Sequence, residues 1–100
     1  MRILSLILIT GILIADNSDS LLKATAALNA GMFEEALLHI KKAQSESPTS
    51  PDVHQMKALL HEALHEPKEA LGSWKKCLKY SKDKKVKREA KIHIRILSEE

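Results

Sequence analysis

The residues whose types and spacing come nearest to chemistry are His61-Glu62-Ala63-Leu64-His65. The pattern is H-E-x-x-H. On a helix it sets two imidazoles on one face, ready for zinc, with the carboxylate between them able to polarise a water. Three features count against zinc-dependent peptide hydrolysis. His65 stands two residues before Pro67, where a helix should be ending. No clear third ligand follows, Glu69 and Glu89 being the only candidates. Five histidines in 100 residues also make the spacing an easy coincidence. The plain expectation is two solvent-facing histidines and no metal. The chain carries no nucleophile with its base, no glycine-rich phosphate loop, no convincing carboxylate pair and no cofactor motif, so a non-catalytic protein is expected. Cys77, the single cysteine, excludes an intramolecular disulfide and a cysteine-based zinc site.

The second chemical feature is charge. Residues 75–95 hold ten Lys or Arg against only Asp83 and Glu89, whereas residues 1–66 hold five basic and eight acidic side chains. The net +3 therefore hides a basic C-terminal end. Such a surface attracts acidic peptides, acidic lipid headgroups or phosphate backbones. Nucleic acid is disfavoured, because no aromatics interleave with the lysines as stacking would need. The alternative reading to a protein partner is a basic surface that binds an anionic membrane or, less expected, nucleic acid.

These side chains must be positioned by a small molecule. One hundred residues make one domain with a modest core. Phe33, Trp74 and Tyr80 are the only aromatics, so the core must be Leu, Ile and Ala. Three Gly and three Pro argue against a many-turned β-sandwich. Residues 1–16 read as a signal peptide or short membrane anchor: Arg2, then an uncharged run from Ile3 to Ala15, then a polar, acidic stretch. Thirteen helical residues span about 20 Å, short of a hydrocarbon core of about 30 Å, which favours a cleaved signal. Ala15 and Ser20 are both imperfect cleavage sites, so an anchor stays open. No cysteine follows the run, which excludes lipid attachment there. The charge order places residues 17–100 outside the cytoplasm: periplasmic, secreted or anchored facing outward.

Residues 17–100 contain a period of 34. That shift carries Lys23 onto Lys57 and Lys91, Ala24 onto Ala58, Glu35-Ala36-Leu37 onto Glu69-Ala70-Leu71, and Lys41-Lys42 onto Lys75-Lys76. Ile40 lands on Trp74 and Ala43 on Cys77. Recurrence at one fixed offset is the mark of a stacked repeat. Periodicity and capping signals predict helices over 18–30, 33–46, 53–64, 68–80 and 86–98. Gly31 should end the first. Ser50 and Pro51 should start the third, whose buried stripe is expected to be Val53, Met56, Leu60 and Ala63. No strand is expected, although Ile92-His93-Ile94-Arg95-Ile96 alternates over a short stretch.

Gly31, Phe33, Ala36, Ala43 and Pro48 together resemble the second helix of a tetratricopeptide repeat (TPR). The next copy keeps Ala70 and the aromatic Trp74, but has His65 for the glycine, Pro67 for the aromatic, Cys77 for the second alanine and Lys82 for the proline. The usual tryptophan, leucine, glycine and tyrosine of the first helix are absent. The resemblance implies an all-α stack of antiparallel helix-turn-helix units: repeats at about 17–50 and 51–84, then a closing, capping helix at about 85–98. It also implies protein binding, through a concave groove lined by the first helix of each pair. On that face the sequence places Lys23, Ala24 and Ala27; then His54, Lys57, Ala58, His61 and His65; then Arg88, Lys91, Ile92 and Arg95. The partner-binding residues expected are Lys23, Ala27, His54, Lys57, His61, Arg88, Lys91 and Arg95, and the ligand expected is an acidic peptide segment. The asparagines of the chaperone-binding carboxylate clamp are missing, Asn29 lying too near a helix end. Trp74 and Cys77 fall at core positions, where the thiol should be inert. Two and a half repeats are near the lower limit for stability. Self-association, or a partner completing the core, is therefore also expected.

Overall fold

The computed structural model describes residues 19–99. The signal or anchor expectation for 1–16, and residues 17, 18 and 100 of the expected 17–100 domain, lie outside them. The described chain is all-α. Helix α1 covers residues 19–29, and is followed by α2 (Phe33–Glu46), α3 (Pro51–Ala63), α4 (Pro67–Tyr80) and α5 (Lys84–Ser98). The alternating stretch at 92–96 is helical. Consecutive helices pack on one another across connections of three or four residues, which requires antiparallel neighbours.

The connections show why the chain turns where it does. Gly31 adopts φ +78°. Its N–H donates to the Leu28 carbonyl (3.0 Å), and Met32 N–H donates to Ala27 (2.8 Å). This pair of bonds satisfies carbonyls orphaned at the end of α1. Thirty-four residues later His65 adopts φ +60°, with His65 N–H on Glu62 (3.0 Å) and Glu66 N–H on His61 (2.8 Å). The bond closing α2, Ser47 N–H to Ala43 O, recurs as Ser81 N–H to Cys77 O, both 2.9 Å. The sequence period is thus matched by a period in the backbone hydrogen bonds. Ser50 caps α3 by accepting from Val53 N–H, with Pro51 in the first turn. Helix α5 starts two residues earlier than the sequence pattern implies. Asp83 caps it, accepting from Lys85 N–H (2.8 Å) and Val86 N–H (3.3 Å).

Two clusters of buried side chains run through the stack. The first joins Ala24, Ala27, Ala36, Ile40, Ala43, Val53 and Leu60, and is wholly aliphatic. The second joins Ala58, Trp74, Cys77 and Ala90, with Leu59, Leu78, Val86, Ile94 and Leu97 against it. Helix α3 belongs to both. It packs on α2 on one side and α4 on the other, so the stripe of Val53, Met56 and Leu60 is only half of what it buries. Burial pushes the Cys77 thiol up to about 11, aided by the negative charges of Glu89 and Asp52. The thiol is therefore protonated and enclosed.

Candidate functional site

The histidine motif is divided among structural tasks. Helix α3 ends at Ala63, so His65 lies beyond it in the left-handed turn and does not share a helical face with His61. His61, expected at the surface, is buried, and its Nδ1–H donates to Glu66 Oε1 at 2.7 Å. Glu62 Oε2 accepts the indole N–H of Trp74 (2.5 Å) and Nδ1–H of His93 (2.7 Å). The His93 ring also stacks on Trp74, centroids 4.3 Å apart. Trp74 is fully buried, and an enclosed indole N–H needs an acceptor. The carboxylate of the motif therefore ties α3, α4 and α5 together. Among the described residues, no group of three or more His, Cys, Asp and Glu side chains is close enough to hold a metal ion.

His54 is likewise inside the protein, at 1% exposure. Its Nε2–H donates to the Pro48 carbonyl at 2.7 Å, and its ring stacks on Tyr80. This tautomer leaves Nδ1 as a buried acceptor without a partner. Burial lowers its pKa below the usual histidine value, opposed by the Pro48 bond and assisted by Lys76 and Lys57.

The face expected to line an open groove splits by position. Ala24 and Ala27 are buried in the first cluster, and His54, Ala58 and His61 on α3 are buried as well, so of the expected groove residues His54 is interior, while Ala27 and His61 are buried but still border surface notches. The physical reason is that each falls where its helix meets the next helix of the chain. Aligned at the 34-residue period, Ser20 and His54 are buried while Arg88 is exposed. Ala24 and Ala58 are fully buried while Ile92 is 43% exposed, and Ala27 and His61 are buried while Arg95 is exposed. One column of the repeat is covered on α1 and on α3, and open on α5.

Lys23 and Lys91 are exposed, Lys23 pairing with Asp19 at 3.5 Å. Lys57 donates to Gln44 Oε1 at 2.9 Å. Its pKa is lowered by burial first, then by Lys76 and Lys41. A notch of about 210 Å³ gathers Lys57, His61, Lys68, Ser73 and Lys76 beside Glu69. A larger groove of about 620 Å³ runs along α5, lined by Asp83, Lys85, Val86, Arg88, Glu89, Ile92 and His93. Ile96, 51% exposed, lies one turn beyond Ile92. Ile96 was not among the expected site residues. The signal for it was the alternation at 92–96: a helix that buries Ile94 cannot also bury Ile92 and Ile96, which lie on another face.

Comparisons of the chain with protein-family models, with curated proteins and with solved structures return no match. Among the described residues no helix is long and apolar enough to cross a membrane.

Proposed function

We propose that this chain is a non-catalytic, TPR-like protein-interaction module that works outside the cytoplasm. The observation that carries the reading is the 34-residue recurrence, present in the sequence, in the turn hydrogen bonds and in the buried columns. Stacked repeats of this kind leave extended surfaces for partners. Of the motif's polar side chains, His61 and Glu62 are engaged in hydrogen bonds, His61 to Glu66 and Glu62 to Trp74 and His93. Cations gather at two places: Lys57, Lys68 and Lys76 around the notch beside Glu69, and Arg88, Lys91 and Arg95 on α5. An acidic protein segment complements them. Export rests on the order of residues 1–20 alone, and fractionation of cells making the full chain tests it.

Chemical crosslinking in intact cells, read by mass spectrometry, tests the binding role. A dominant protein partner joined through Lys57, Lys68, Lys76 or Lys91 is expected. Recovery of the chain crosslinked only to itself contradicts the reading. A second reading, attachment to an anionic membrane, is favoured by the ten cations of residues 75–95. Vesicle binding that collapses as salt rises would support it.

A further inference from the structure

We infer that the outer face of α5 docks an acidic amphipathic helix of a partner protein, which takes the place on α5 that α2 takes on α1 and α4 takes on α3. The inference rests on the interaction-module reading and names the face and the class of partner.

The first argument is the column itself. At Ser20, Ala24 and Ala27, and again at His54, Ala58 and His61, the repeat places side chains that a following helix covers. At Arg88, Ile92 and Arg95 the backbone continues in the same register, and no described helix covers them. The groove beside Ile92 is therefore the seat of a helix.

The second argument is the chemistry of the seat. Helix α5 carries Lys84, Lys85, Lys87, Arg88, Lys91 and Arg95 against Glu89 alone. Its inward face is apolar, with Val86, Ala90, Ile94 and Leu97 packed on the body. The outward face sets Ile92 and Ile96 one turn apart, with arginines at 88 and 95 alongside. This is the inverse of an acidic helix with an apolar stripe, in which side chains at i, i+3 or i+4 reach the isoleucines and flanking carboxylates reach the arginines. A symmetric pairing of two copies through this face would set Lys85, Arg88 and Arg95 against the same three cations, which disfavours a second copy as occupant. A flat anionic membrane would use the charge but not the helical seat.

The seat is itself held firmly, as a docking surface requires. His93 on Glu62 and Trp74, and Gln55 Nε2–H on Glu89 Oε1 at 2.6 Å, fix α5 to α3 and α4. Binding therefore needs no rearrangement of the helix.

The test is photo-crosslinking of the full chain in cells that make it naturally. A photoreactive residue is placed at Ile92 or Ile96, or at Leu38, an exposed residue of α2, as control. The crosslinked segment is then sequenced. The expected product is one protein segment with apolar residues at helical spacing and an excess of Asp and Glu, obtained from positions 92 and 96 and not from 38. The paired change Arg88→Glu and Arg95→Glu, at exposed positions that should not disturb folding, is expected to cut the yield from position 96 by about tenfold or more. Products that are lipid, a second copy, or a protein segment lacking the acidic helical pattern overturn the inference. A protein partner captured only through the Lys57 notch also overturns it while leaving the interaction-module reading intact. Absence of any protein product, here and through the lysines, removes both.

Discussion

The two halves of the stack share turn hydrogen bonds spaced 34 residues apart and differ in what fills the space between their helices. Between α1 and α2 the core is Ala24, Ala27, Leu28 and Ile40, with no buried ring. Between α3, α4 and α5 the same positions hold Ala58, His61, Glu62 and Trp74. Enlarging Ile40 to Trp74 brings an indole N–H into the interior, and Glu62 replaces Leu28 to accept it. His93 from α5 then completes the carboxylate's partners. The comparison teaches that a helical repeat tolerates polar cores when each polar group finds a partner, and that those partners recruit the next helix. The first half is held by aliphatic packing and one Ser20–Glu46 hydrogen bond at 3.3 Å, and the second by packing that depends on a hydrogen-bonded hub.

The largest way to break the comparison is to empty the second core. Trp74→Ala should cost about 3–5 kcal/mol, a large share of the stability of so small a domain, and Ile40→Ala about 2–4 kcal/mol. Urea unfolding measures both, and loss of the near-ultraviolet signal of the Trp74–His93 stack should accompany the first.

Next in size is the hub. Glu62→Leu copies Leu28 into the second half and leaves the Trp74 N–H without an acceptor, for a loss of about 1–3 kcal/mol. Replacing all three partners together, as Glu62→Leu, Trp74→Ile and His93→Leu, still leaves a cavity at Trp74 but should cost less than the sum of the three single losses, because no polar partner is left unpaired. If the triple variant is no better than the sum of the single losses, the hub is not a coupled unit.

Smaller again are the turns. A Cβ added at Gly31 would meet nothing within 4 Å, so Gly31→Ala isolates the backbone strain of φ +78°. It should lose about 1 kcal/mol. His65→Gly relieves the same strain in the second turn and should gain about 0.5 kcal/mol after the added freedom of the unfolded chain is counted.

The smallest effect is on pH dependence. His54 has a folded-state pKa below its unfolded value, chiefly through burial. As pH falls below about 6.5 the unfolded chain takes up the proton first, so this contribution is complete above that pH and is lost as pH drops toward the folded value. His54→Phe, which keeps a ring against Tyr80, should lose less stability than the parent between about pH 7.5 and pH 5.5. Comparing the two chains isolates His54 from the other histidines.

Helix count, the extent of Phe33–Glu46, the Ser50 cap and the burial of Trp74 and Cys77 were all legible in the sequence. They follow from local signals: apolar spacing, proline and glycine placement, and small residues at a fixed period. The candidate site was legible only in part. Arg88, Lys91 and Arg95 fall on surfaces that are open among the described residues and Lys57 is half-buried at a notch, but the expectation that His54 and His61 are exposed fails, because polar residues opposite a hydrophobic stripe are usually solvated and these are not. Helix α3 is covered on two sides, and each histidine is made compatible with burial by a bond to Pro48 or Glu66. Those partners come from other segments, and no local pattern announces them. The same reasoning explains Ile92: its exposure follows from the absence of a covering helix among the described residues, which a single helix's pattern does not reveal.

The central claim is that one column of the repeat is covered twice and open once. Methyl NMR of the full chain with a soluble paramagnetic agent tests it directly. The account predicts that the Ala24 and Ala58 methyls keep their intensity while those of Ile92 and Ile96 broaden. Ile92 protected as well as Ala58, or Ala24 and Ala58 broadened with it, would contradict it.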